Sequence, residues 1–262
     1  MLRGRFPFRL GTTSYIIPAD IVPNVQALAG VVDDVELVLF EAEDVSNLPN
    51  AATLDALRWL AVRHDLTYTV HLPLDLALGD ADEAMRRAAV DKCSVIIAST
   101  SVLKPEGFIL HFHHPAYRTG IPPGDVPRWQ AALRQSVGEL LPTGVTPSLL
   151  CVENLSYPFE WVAPIVAEYG LSICLDVGHL LLTGQDVGAH MDRYGDRTRV
   201  MHLHGIVDNK DHRDISSLDR GLLRMLLSRW SAPGSPGRVL TLEVFGAGDL
   251  ATSLAVLNEM TS

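Results

Sequence analysis

LLCVEN (149–154), LSICLDVGH (171–179), RVMHLHG (199–205) and VLTLEVF (239–245) are four apolar runs, each carrying an acid or a histidine at or near its end. Working outward, three earlier runs do the same: VELVLFE (35–41), TYTVHLP (67–73) and GFILHFHHP (107–115). The seven ends are Glu41, His71, His113, Glu153, Asp176, His202 and Glu243, separated by 23 to 42 residues. Those are the lengths a strand–helix–strand crossover needs. Continuous apolar runs suit parallel strands covered on both faces. With an eighth run at Arg9–Thr13, the spacing predicts an α/β chain folded as one (β/α)₈ barrel over residues 1–262. Closing the barrel would bring the strand ends to a single mouth.

Composition sets bounds. A chain of 262 residues, 47% hydrophobic, can bury one large core and leaves no length for a second large domain. No apolar run approaches the ~20 residues of a membrane span. The start has arginines but no apolar segment behind them, so no secretory signal is expected. Cys93, Cys151 and Cys174 are odd in number and read as buried, reduced thiols, and the expected location is cytoplasmic. The net charge is −10, and lysine occurs only at 92, 104 and 210. That is a poor electrostatic match to a phosphate backbone, so DNA is not the expected partner; a small molecule is.

Between the runs lie helical patterns. They include 53–64, 82–102, a segment ending at Leu141, and 219–230, with a charged loop at 208–217 and a turn-rich stretch at 231–237.

The chemistry is concentrated at the predicted strand ends. Carboxylates inside CVEN, CLDV and TLEV cannot be buried unless they are paired, hydrogen-bonded or bound to a cation. Glu153, Asp176, His202 and Glu243 end consecutive strands about 4.8 Å apart, and so can reach one ion. Mixed oxygen and nitrogen donors suit a divalent metal: zinc first, with Mn, Fe or Co as alternatives. Eight of ten histidines lie at or just past strand ends: 71, 111, 113, 114, 179, 202, 204 and 212. Those beyond the four-ligand set leave room for a second ion or for contacts to substrate, with Glu153 as the bridge. His111, His114 and His204 are candidate substrate contacts, as are Gly246 and Gly248 of FGAGD, whose amides precede the last helix, and Tyr15 beside the first strand.

VEN at Glu153, DVGH at Asp176–His179, MHLH at His202 and LEV at Glu243 resemble the xylose-isomerase-like TIM barrels, a superfamily of sugar isomerases and epimerases and endonuclease IV-type AP endonucleases. The resemblance implies a divalent metal on Glu153, Asp176, His202 and Glu243. In the AP-endonuclease branch it implies further ions on His71, a fourth-strand histidine, His179 and His212. His113 fits the strand alternation, while His114 precedes Pro115 as in that branch's His-Pro motif. The branch's Asp-x-His is replaced by adjacent Asp211 and His212. GTTSYIIPADIVPNV (11–25) and VDDVELVLFE (32–41) are also similar to the cobamide-remodelling phosphodiesterases of this superfamily.

Two functions follow. The first is metal-dependent hydrolysis of a phosphoester in a small molecule, with Glu153, Glu243 and His179 catalytic and a cobamide nucleotide loop as the narrower expectation. The second is isomerisation or epimerisation of a sugar or sugar phosphate, with Glu153 and Glu243 exchanging a proton at carbon. The surplus of histidines favours the first.

Overall fold

The computed structural model describes residues 2–41, 45–117, 119–232 and 237–261. Residues 233–236 of the turn-rich stretch lie outside these. Eight parallel strands close the barrel: β1 (Arg9–Thr13), β2 (Asp34–Val38), β3 (Thr67–His71), β4 (Phe108–Leu110), β5 (Leu150–Glu153), β6 (Ser172–Asp176), β7 (Thr198–Leu203) and, last in the chain, β10 (Val239–Leu242). Spatial order follows chain order, and β1 pairs with β10 from Arg9↔Val239 to Thr12↔Leu242. The molecule is a (β/α)₈ TIM barrel. A separate antiparallel pair, β8 (Gly205–Val207) and β9 (Lys210–Arg213), stands after β7.

The helices are α1 (Ile21–Leu28), α2 (Ala51–His64), α3 (Glu83–Thr100), α4 (Val126–Leu140), α5 (Ala163–Glu168), α6 (Val177–Leu182), α7 (Val187–Tyr194), α8 (Arg220–Trp230) and α9 (Ala247–Met260). Asn50, Asp82, Asp186 and Asp219 cap α2, α3, α7 and α8 by accepting first-turn amides. Each cap contributes about 1 kcal/mol. Among the described residues no helix is long and apolar enough to cross a membrane.

Side chains alternate between the two faces of a strand. Residues such as Leu10, Val35, Leu37, Val70, Val152, Leu175 and Met201 join the main core. Ile109, Cys151, Cys174, Val200 and Val239 form a second cluster, apart from it. Cys151, Cys174 and Val200 each lie two residues before Glu153, Asp176 and His202. The inner faces therefore carry an apolar floor at one level and the polar groups at the next. The three cysteines are buried and free.

Two expectations are corrected. Residues 208–217 hold most of the β8–β9 hairpin rather than a plain loop. Its turn residues Asp208 and Asn209 both adopt positive φ (54° and 58°), which asparagine and aspartate tolerate best. Glu41 does not end a barrel strand. β2 stops at Val38, and Glu41 reaches Lys92 at 3.4 Å. The inward carboxylates of β2 are Asp34 and Glu36, both fully buried.

Candidate metal centre

Glu153, Asp176 and His202 come from β5, β6 and β7, and Glu243 directly follows β10. Their ligand atoms lie within 4.8 Å of one another, and all four side chains are buried. His202 Nε2 lies 2.9 Å from Glu36 Oε2, an acceptor when ionised, so this nitrogen carries the proton. The Nδ1 lone pair then faces Glu243 Oε2 at 3.2 Å, Glu153 Oε1 at 3.7 Å and Asp176 Oδ2 at 3.9 Å. Despite that proximity, neither His202 Nδ1 nor Glu243 Oε2 completes a hydrogen bond among the described residues. Orphaned buried acceptors aimed at one point are costly alone and fit a divalent cation, which supplies the missing partner.

A second group shares Glu153. His111 Nε2 and His71 Nε2 lie 2.9 Å and 3.3 Å from Glu153 Oε2, while His71 Nδ1–H donates to the Leu72 carbonyl at 2.9 Å. These three residues also have donor atoms within 4.8 Å of one another. This corrects the fourth-strand expectation. β4 ends at Leu110, and the alternation that turns Ile109 inward turns His111 inward too. His113, past the end of the strand, lies higher on the cavity wall with its ring edge on Tyr117 at 5.0 Å. His114 faces away; its Nδ1 accepts from the Ala116 amide and its ring edge meets Trp129.

A third group is His179, His204 and His212. Asp176 caps α6 by accepting the His179 amide at 2.6 Å, which sets the imidazole at the mouth. His179 Nδ1–H donates to the Asn154 carbonyl at 3.1 Å, and His212 Nδ1–H to the Glu243 carbonyl at 3.2 Å, so each Nε2 is free to bind. His204, expected to contact substrate, is instead fully buried. Its Nδ1 accepts the His212 amide at 3.0 Å, and its Nε2 lies 3.3 Å from both Asp176 oxygens. Burial would lower its pKa, but Asp176 outweighs burial and pushes it up to about 9. A proton on Nδ1 would oppose the His212 N–H at 3.0 Å and could go only to the Gly205 carbonyl at 3.3 Å; the amide is nearer, and on that geometry Nε2 carries the proton.

The mouth opens into a cavity of about 630 Å³. Besides His71, His111, Glu153 and Glu243, its lining mixes apolar Leu74, Leu155, Leu182 and Phe245 with polar Asp75, Ser156, Thr183 and Asp211. Among the described residues no lysine or arginine lines it. Three expected contacts also lie outside the lining. Gly246 is the extended residue before α9, Gly248 points to solvent within its first turn, and Tyr15 packs edge-on against Phe40.

Burial would lower the pKa of His71, but its bond to Glu153 outweighs this and pushes it up to about 9. Burial likewise opposes Asp176 and Glu153 at His179, which is pushed up to about 11. A metal must displace those protons. Its apparent affinity is therefore expected to rise between the ordinary imidazole value of about 6.5 and about pH 9, with proton release. Calorimetry in buffers of different ionisation enthalpy measures this, and pH-independent uptake would contradict it. Cys174 lies beside Glu153 and His202, but burial holds its thiol protonated, so it is a poor ligand.

Two important residues escape the strand-end reading. Glu36 supports His202. Asn154 clamps β5 to β6 by donating to the Asp176 carbonyl at 2.9 Å and accepting the Asp176 amide at 2.7 Å. The signal for Glu36 was present: a carboxylate inside the apolar run VELVLF, the same pattern that singled out Glu153.

No curated protein matches the chain by sequence. Solved structures share the fold. A D-tagatose 3-epimerase-like protein superposes with a TM-score of 0.77 at 17% identity, covering 97% of each chain. Endonuclease IV from Thermus thermophilus gives 0.69 at 20% identity, covering 96% of this chain and 99% of its own. The 3-keto-D-glucoside 4-epimerase of E. coli, in its apo form, gives 0.69 at 13%, covering 97% and 99%. A family model matches residues 27–260, and the chain therefore belongs to the xylose isomerase-like TIM barrel family.

Proposed function

We propose that the protein is a divalent-metal-dependent hydrolase of a phosphoester in a small molecule. The observation that carries this reading is the sharing of Glu153 between two ligand groups. Glu153, Asp176, His202 and Glu243 would hold one ion and His71, His111 and Glu153 another. When bound, such ions supply charge neutralisation for phosphoryl oxygens and a lowered pKa for water. The chain's own groups would do the rest. Glu243 would hold the ion through Oε2, which carries no hydrogen bond among the described residues, and its other oxygen would orient the attacking water. His179 and His212 direct Nε2 at the cavity and would orient the phosphoryl group. The apolar part of the lining, Leu74, Leu155, Leu182 and Phe245, suits a substrate with an apolar body beside its phosphoester, in keeping with the cobamide nucleotide loop.

A second reading, sugar epimerisation, draws support from the lack of lysine and arginine around the cavity, which an uncharged sugar would not need. It uses the four-ligand group alone and leaves His71 and His111 without a task. Incubating the metal-loaded protein with a cobamide and, separately, with a ketose panel tells the two apart. A phosphomonoester product is expected; an epimerised sugar without hydrolysis would reverse the ranking. Purified active protein is also expected to retain at least one zinc, manganese, iron or cobalt per chain. Sub-stoichiometric metal in active protein by elemental analysis would refute both readings.

A further inference from the structure

His204 is fully buried and cannot touch a substrate. Its Nδ1 accepts the His212 amide at 3.0 Å, nearer than the Gly205 carbonyl at 3.3 Å, and on that geometry the proton sits on Nε2 and faces Asp176. What the ring does is join two parts of the site. Behind it stands Gly178, where a Cβ would collide with the His204 imidazole, so the helix carrying His179 leaves room for this ring only because residue 178 has no side chain. In front stands the β8–β9 hairpin, which brings His212 to the cavity. His212 has φ +53°, a conformation that side-chain-bearing residues rarely adopt and that surrounding contacts must hold. Its amide bond to His204 Nδ1 and its ring bond to the Glu243 carbonyl are such contacts.

We propose that His204 is a positioning residue. It steadies the Asp176 carboxylate through Nε2–H and latches the hairpin through Nδ1, keeping His212 over the cavity. The first half rests on Asp176 being a metal ligand; the second does not. Asparagine and glutamine separate the halves, because an asparagine oxygen reaches about where Nδ1 stands and a glutamine amide about where Nε2 stands.

The test compares His204→Asn, His204→Gln and His204→Ala in the full chain, with circular dichroism to establish folding. Hydrogen exchange over residues 205–213 reads the latch, and zinc affinity against a chromophoric chelator reads Asp176. In His204→Asn the hairpin is expected to stay protected while zinc affinity falls about tenfold, as for loss of an outer-shell partner. In His204→Gln affinity is expected to hold while hairpin exchange rises about tenfold, as for local opening. His204→Ala loses both. Wild-type exchange and wild-type affinity in His204→Ala would reduce the ring to space-filling and overturn the proposal. Unchanged hairpin exchange in all three variants would overturn the latch. A wild-type protein that binds no zinc would instead sink the metal reading of Asp176, leaving the exchange arm to decide the latch by itself.

Discussion

Glu153→Gln is expected to abolish turnover and to strip the site of most of its metal while leaving the barrel folded. Glu153 is the one residue common to both ligand groups, and its two oxygens face different neighbours: Oε2 faces His71 and His111, and Oε1 lies 3.7 Å from His202 Nδ1. Burial alone would raise its pKa, yet the surrounding imidazoles, His111 first, hold the carboxyl well below its usual range. The negative charge is thus a fixed part of the site. Glutamine keeps the volume and removes that charge from a side chain that is 1% exposed. Taking one partner from a buried charged cluster costs about 3–5 kcal/mol. At about 1.4 kcal/mol per factor of ten, that is on the order of 100- to 4,000-fold in metal affinity. Elemental analysis and circular dichroism check the two halves, and a variant that keeps full metal and full activity would remove Glu153 from the centre. Asp176→Asn, which alters the four-ligand group and its contacts with His179 and His204 but not the group of His71, His111 and Glu153, is expected to abolish turnover while leaving that second group able to hold an ion.

The second large effect is expected at Glu36, which touches neither cavity nor substrate. Its Oε2 accepts the Nε2–H of His202 and so commits Nδ1 to the metal side. A carboxylate behind a ligating histidine fixes the tautomer and ring orientation and raises the basicity of the ligand, and losing one costs about 10- to 100-fold in metal affinity. Glu36→Gln is expected to show that loss. Its effect on stability should be a loss as well. Glu36 is fully buried and its Oε2 pairs with His202, and taking one partner from a buried pair costs about 3–5 kcal/mol. The metal-free variant is therefore expected to melt below the wild-type temperature. Chelator competition and thermal melts measure the two quantities separately, and wild-type metal affinity in Glu36→Gln would rule out the supporting role.

The barrel was legible because parallel strands buried on both faces are largely apolar, and VELVLF, TYTVHL and LSICLD, short runs that recur at crossover spacing, read as such strands. The four-ligand group was legible for the converse reason: a carboxylate inside such a run needs a partner. The fourth strand was less so. GFILHFHH alternates as a strand through residue 114, and nothing local to it says that pairing stops at Leu110; the short register with Leu150–Val152 sets that limit. The hairpin was missed because KDHR is polar and exposed at its ends. Its pairing with Gly205–Val207 depends on a two-residue turn of left-handed aspartate and asparagine.

The order of the strands, the number of crossovers and the chemical types of the ligand groups were determined by the sequence by itself, because burial periodicity and the cost of an unpaired buried charge act on each segment separately. Which nitrogen of each histidine is free, which fourth-strand histidine turns inward, and that Glu36 and His204 stand behind ligands rather than among them were decided by the tertiary structure. Those outcomes depend on contacts between residues as far apart as Glu36 and His202, and only the closed barrel brings such residues within hydrogen-bonding distance.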